Sequence, residues 1–304
     1  ATTTPWTEVT VAGPLVPTVP KAGRIVSERT IPDLGITEWT LSNGVRVLVK
    51  PTDFKADQIL VSAWSPGGAS LVPDADVINA QLATTVVATS GVGSFDAPSL
   101  RRRLAGKVAG VNASLDELSE GFSGSTTPKD LDTFFEVLWL NATAPRYDSS
   151  AVAAFVSQMK NQLAGRDRIP TVALLDTLMA VMSQNSPRQP PLTVTTIKRF
   201  DPARALAIYR ERFADFGDFT FAFVGTVSLD SLRPRVEQWL AALPTTGRKE
   251  TWRNVSPKSP EGVITKRIRK GKEPVSQQFA VYTGTSPKAD AQQELAAEAV
   301  GEIL

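Results

Sequence analysis

The chain has 304 residues, 42% of them hydrophobic and 21% charged, and 33 basic against 31 acidic residues give a formal charge of +2. That is apolar material for one large or two ordinary cores, and the charge is too balanced to call for a nucleic-acid or membrane partner. Histidine and cysteine are both absent. The composition therefore excludes disulfides, Ser-His-Asp or Cys-His catalysis, and a zinc site built on imidazole or thiolate; carboxylates alone suit calcium or magnesium.

The opening, Ala1 to Pro5, reads as a cut point inside a longer polypeptide, and no apolar run approaches the ~18 residues of a membrane span. Residues 1–35 carry Pro5, Pro14, Pro17, Pro20 and Pro32, a density that predicts an extended linker. A hairpin follows, with Ile36 to Leu41 and Val45 to Lys50 flanking Ser42-Asn43-Gly44, whose Asn-Gly supplies the positive φ of a tight turn. Gln58 to Trp64 predicts a third strand, stopped by Pro66-Gly67-Gly68. Asp74 or Asp76 then opens a helix to about Thr89, ended by Ser90-Gly91.

A short helix over Pro98–Ala105 precedes strands at Lys107–Leu115 and Leu118–Ser125. Thr127 with Pro128 predicts the start of a long helix whose Leu131, Phe134, Phe135, Leu138 and Ala142 share one face. Further helices are expected over Ser149–Ala164, Thr171–Met182 and Asp201–Arg212. Phe219–Val224 reads as a buried strand and Leu229–Leu243 as a helix ending at Pro244.

From Thr245 to Pro260 the chain turns polar and proline-bearing, a boundary signal. The opening order then recurs: a strand over Gly262–Arg269, a turn at Lys270 to Pro274, a strand over Gln277–Tyr282, a Gly/Pro break and a helix from about Asp290. Such recurrence predicts tandem domains. The expected organisation is a linker over 1–35, a domain over 36–250, and the incomplete start of a similar domain over 251–304. The fold class is α+β, a mostly antiparallel sheet with helices packed on it.

In order and spacing, these segments resemble the pitrilysin/insulinase family of zinc metallopeptidases, in particular the second half of a bacterial member. Leu41 to Val47 looks like that family's opening hairpin, and Gly67-Gly68 like the loop before its first long helix. Gly110-Val111-Asn112-Ala113-Ser114 is similar to the strand whose edge pairs with peptide substrate in active domains, although in a half that lacks the zinc a plain sheet strand with no binding role is the preferred reading. Phe219 to Gly225 followed by Leu229 to Pro244 is similar to the strand and helix that close each domain.

Active domains carry His-x-x-Glu-His on the first long helix and a Glu ligand on a later one. Here the matching stretches read Asn79-Ala80-Gln81-Leu82-Ala83-Thr84-Thr85-Val86-Val87 and Phe155 to Gln162, with Asn161 and Gln162 where a carboxylate is expected. The resemblance implies a non-catalytic half with no catalytic residue and no metal or other cofactor of its own. It would enclose peptide that a zinc-bearing half, on the same polypeptide or a partner subunit, cuts. It also implies a cell-envelope or periplasmic location, with a cytoplasmic one as the alternative. A scaffold subunit without peptidase role is the alternative.

Several other features have plain explanations. Lys266, Arg267, Arg269, Lys270 and Lys272 read as a strand edge protected by charge rather than a binding patch, since no aromatics interleave them. Arg101-Arg102-Arg103 reads as a solvated helix face. Asp116, Glu117 and Glu120 lack the glycine and spacing of a calcium loop. Asn112-Ala113-Ser114 and Asn141-Ala142-Thr143 match the glycosylation triplet only as chance does. Trp39, Trp64, Phe134, Phe135 and Trp139 are core candidates.

Overall fold

The computed structural model describes residues 13–271, 276–281, 292 and 295–296, with Asp167 described by its backbone alone. It divides into two compact units: residues up to Asn161 together with Val194–Val255, and Gln162–Thr193 together with the chain from Ser256 onward.

The first unit is built on a seven-stranded sheet. Its strands are β1 (Ile25–Ile31), β2 (Ile36–Leu41), β3 (Arg46–Pro51), β4 (Ile59–Pro66), β5 (Ala109–Leu115), β6 (Ser119–Thr126) and β7 (Thr220–Gly225), in the spatial order β1-β2-β3-β7-β4-β6-β5. Every neighbouring pair is antiparallel except β3 with β7. The expected α+β class, a mostly antiparallel sheet with helices packed on it, is what forms. The β2–β3 hairpin turns where Asn-Gly predicts it. Gly44 has φ 95°, and the Asn43 amide donates to the carbonyls of Leu240 and Leu243 at 2.8 and 3.0 Å. One turn residue thus fixes the hairpin and ties it to the last helical segment.

Alternation places Trp39, Leu41, Val47, Val49, Ile59, Val61, Ala63, Phe221 and Phe223 on one buried face. The helices α1 (Val77–Gln81), α2 (Ala83–Ser90), α3 (Ala97–Arg103), α4 (Leu131–Thr143), α5 (Ser149–Leu163), α6 (Pro170–Met182), α7 (Val194–Ile197), α8 (Pro202–Arg212) and α9 (Leu229–Arg235) complete the regular structure. Val86 and Val87 of α2, Phe134, Phe135 and Leu138 of α4, and Leu206 and Tyr209 of α8 join the same cluster. Each such buried side chain stabilises by roughly 1.5–3 kcal/mol. An aromatic core runs through Phe122, Phe213, Phe216 and Phe219, with ring centroids 4.7 Å apart for Phe122–Phe213. Trp64 is an exception among the core candidates: it points to the other face and is 44% exposed, beside exposed Leu60 and Val224.

Other differences from the sequence reading have local causes. The linker expected over 1–35 contains strand β1, because the β-branched Ile25, Thr30 and Ile31 lie in the proline-free stretch after Pro20 and pair with β2 until Pro32 stops them. Its side chains are mostly exposed, so it shows no alternation. The helix expected from Asp74 to Thr89 breaks at Leu82 (φ −107°, ψ 3°) into α1 and α2. Thr127 caps a preceding turn, its hydroxyl accepting from the Asp130 N–H, and α4 begins at Leu131. Pro234, which has no N–H to donate, sits inside α9, and the helix continues as a π turn over Val236–Leu240.

The second unit contains α6, which the sequence reading had put in the first domain. Residues 262–271 and 276–281 hold no strand, against the expected strands at Gly262–Arg269 and Gln277–Tyr282. A strand needs a hydrogen-bonding neighbour, and no described segment pairs with either; Val263 is 98% exposed. Lys266, Arg267, Arg269 and Lys270 are accordingly exposed on irregular chain rather than along a strand edge. Tyr282, Lys272 and most of the helix expected from Asp290 lie outside the described residues. Among the described residues no helix is long and apolar enough to cross a membrane.

Candidate functional site

Gly110 to Ser114 lie in β5, the terminal strand of the sheet, paired only with β6. The turn joining the two strands is closed by Asp116 N–H to Ser119 C=O at 2.8 Å. Counting back from that bonded pair, residues 114, 112 and 110 turn their main-chain groups toward β6, because bonded and non-bonded pairs alternate in an antiparallel ladder. Val111, Ala113 and Leu115 therefore turn theirs outward. Among the described residues no hydrogen bond reaches the outward N–H or C=O of Val111 or Ala113.

The side chains follow the same alternation. Val111, Ala113 and Leu115 pack against the core, whereas Gly110 and Asn112 are exposed and Ser114 half-buried. The strand is held firmly at its start: Val108 N–H donates to Asp130 Oδ2 at 3.0 Å, and Lys107 Nζ reaches Thr133 Oγ1 at 2.9 Å. That Asp130 carboxyl is held below its ordinary pKa, first by the Val108 N–H it accepts. The result is a rigid open edge, the main-chain geometry that takes an extended peptide as an added strand.

The helices that resemble the zinc-bearing ones hold no zinc-type donors. Asn79 is buried, and its amide joins two elements, donating to Asp76 Oδ1 at 3.0 Å and accepting from Asp201 N–H at 2.8 Å. Arg204 closes the group on Asp76 at 2.7 Å, and this guanidinium holds the Asp76 carboxyl below its usual range. The position is filled by an amide that fastens α1 to the start of α8. Among the described residues no three His, Cys, Asp or Glu side chains gather into a metal-binding group, and this donor set does not fit zinc. Neither Asn161 nor Gln162 adds a donor zinc prefers.

Asp116, Glu117 and Glu120 also form no calcium loop, since Glu120 is fully buried on Arg212 at 2.7 Å. Burial pushes the Glu120 carboxyl up to about 7, outweighing the Arg212 beside it. Sequence reasoning missed this pair. Its members lie 92 residues apart, and the only local signal was a charged residue at an inward strand position. Asn141 spends its amide on the Val137 carbonyl inside α4.

The site thus consists of an open edge strand and, on α1, a buried amide cluster in place of metal ligands. No family model matches the chain. A zinc protease described as PQQL-like from Arabidopsis thaliana is 26% identical over 241 residues, 79% of this chain and 23% of that protein. The periplasmic protease PqqL from Escherichia coli superposes with a TM-score of 0.70 at 21% identity, over 85% of this chain and 28% of that one. The peptidase M16 inactive domain from Pseudomonas fluorescens does so at 0.58 and 16% identity, over 75% of this chain and 54% of that one. The chain is thus similar in sequence to PqqL-type zinc proteases and shares its fold with a peptidase M16 inactive domain. It spans 22–23% of the length of the curated relatives it matches.

Proposed function

We propose that this chain is part of the non-catalytic half of a zinc metalloendopeptidase, and that the outer edge of β5, over Gly110 to Ser114, binds extended peptide. The observation that supports it most directly is the unpartnered main chain of Val111 and Ala113 on a strand fixed at its start. Peptide laid there would be held through backbone hydrogen bonds, largely independent of its sequence. The neutral, small side chains of Gly110, Asn112 and Ser114 leave that edge unobstructed.

A zinc-bearing half, on the same polypeptide or a partner subunit, cuts the peptide in this reading. Zinc there supplies an activated water and a polarised carbonyl; this chain binds and encloses. Residues 251–304 open a second similar domain of the same half. The likeness to a periplasmic protease supports a cell-envelope location. The test is direct: the isolated chain binds unstructured peptides without cleaving them, and adding the zinc-bearing half yields cleavage that a metal chelator stops. A chain that neither binds peptide nor raises the activity of that half would be a scaffold instead.

A further inference from the structure

The stretch from Thr245 to Arg253 has no regular structure, yet it is fastened along its length to the first unit. Asp215, itself buried, accepts from Thr245 Oγ1 at 3.0 Å, from the Thr246 N–H at 2.7 Å and from the Arg248 N–H at 3.1 Å. Burial works against the Asp215 charge, but the Thr246 hydroxyl and the N–H groups of Gly217, Thr246 and Arg248 hold its carboxyl well below the usual range. Asp218 accepts the Glu250 N–H at 3.2 Å while also holding Ser65 Oγ at 2.9 Å. Glu250 itself takes both terminal nitrogens of Arg212, which is 2% exposed. Arg253 finishes the run: its N–H reaches Ser70 Oγ at 3.0 Å, and its guanidinium donates twice to the Ser70 carbonyl, at 2.9 and 2.6 Å.

Two properties separate this stretch from ordinary packed chain. No apolar side chain anchors it, and Trp252 is 50% exposed. It contributes no residue to the hydrophobic core cluster, and Arg212 has Glu120 as a second partner. The stretch also ends where the chain passes from the first unit to the second, at Val255 to Ser256.

Its contacts lead on to the candidate peptide edge. Ser70 and Ala69 donate their N–H groups to the carbonyls of Glu117 and Asp116 at 2.6 and 2.8 Å, and Gly67 donates to Leu118 at 2.9 Å. Those acceptors form the β5–β6 turn. Gly68, at φ 58°, sits so close that a Cβ would lie 2.4 Å from Asp116 O, and its N–H is taken by Glu120, the other partner of Arg212. Strap, glycine loop and turn form one continuous polar path.

We propose that Thr245–Arg253 is a releasable latch, and that letting it go loosens the Gly67–Ser70 loop and the β5–β6 turn. The coupling stands on these contacts alone; only its use in peptide capture rests on the function proposed above.

Hydrogen exchange on the whole chain tests it. In Glu250→Gln and Arg253→Ala, the amides of Thr246, Arg248, Glu250 and Arg253 exchange about tenfold faster or more, as expected when charge-assisted hydrogen bonds are lost. Ala69 and Ser70 follow them, while Phe221 and Phe223 in β7 stay as protected as before. Freed strap amides with unchanged Ala69 and Ser70 would overturn the coupling. Unchanged strap amides in both variants would overturn the latch. Should Glu250→Gln also expose Phe221 and Phe223, Arg253→Ala alone decides, since among the described residues the hydrogen bonds of Arg253 go to Ser70.

Discussion

The two edges of the sheet are finished with different residue types. At one end β1 carries Glu28 and Arg29, tied by ion pairs to Arg233 and Glu38. At the other, β5 has no charged residue from Ala109 to Leu115 and offers glycine, asparagine and serine on its open side. Long charged side chains at an edge hinder pairing with another strand, whereas small neutral ones leave main-chain donors and acceptors accessible. Both edges end the same sheet, but only one is chemically guarded. That asymmetry agrees with the proposal that peptide is received at the β5 edge.

The comparison breaks most severely if β5 is detached. A Cβ at Gly124 would lie 2.2 Å from the Gly110 carbonyl oxygen and 2.9 Å from the Phe134 ring. Gly124→Val is therefore expected to cost about 3 kcal/mol, typical of strong overpacking. Denaturant titration measures it, and a wild-type midpoint would contradict the β5–β6 register. An exposed change on β1, such as Ser27→Val, should stay within about 0.5 kcal/mol.

Ala113→Pro sharpens the contrast without dismantling the sheet. The N–H it removes points outward, so the ladder to β6 keeps its bonds, as edge positions allow. Peptide affinity should fall about tenfold, the worth of one or two hydrogen bonds, with the melting temperature nearly unchanged. Equal peptide binding by wild type and variant in a titration would remove β5 as the binding edge.

A pH series separates the edges again, because Glu120 stands opposite Leu115 at the end of β5. Its folded pKa is raised from 4.5 to about 7. The folded state thus holds an extra proton between those values, and stability falls as pH rises through that window. Glu120→Gln should flatten the slope, read as the denaturation midpoint at about pH 5 against about pH 8. The same slope in both proteins would place the titration elsewhere.

The smallest effect on folding concerns β1. Replacing Glu28 and Arg29 together by valine removes exposed ion pairs that contribute little to stability, but it unguards an edge. Concentration-dependent self-association in sedimentation is the expected outcome, and a strictly monomeric variant would show that charge is not what protects this strand.

Much of this was legible in the sequence because it is local. Asn43-Gly44 dictates its turn wherever it occurs, the 3.6-residue spacing of Leu131, Phe134, Phe135, Leu138 and Ala142 dictates which face of α4 is buried, and the absence of imidazole and thiolate dictates that no ordinary zinc site can form. The segments Gly110 to Ser114 could be named as a strand for the same reason. What local chemistry does not contain is which strand ends the sheet. The parallel pairing of β3 with β7 joins residues 174 apart, such as Arg46 and Thr220, and decides that β4, β6 and β5 continue outward on one side. β1 escaped notice because an exposed edge strand needs no alternation, and the strands expected past Gly262 did not form because strand propensity without a partner gains no ladder. Arg212, Glu120 and Glu250 show the same limit in side chains. Each alone reads as a surface charge, and only tertiary packing, which buries Arg212 and Glu120 and half-buries Glu250, brought the three together.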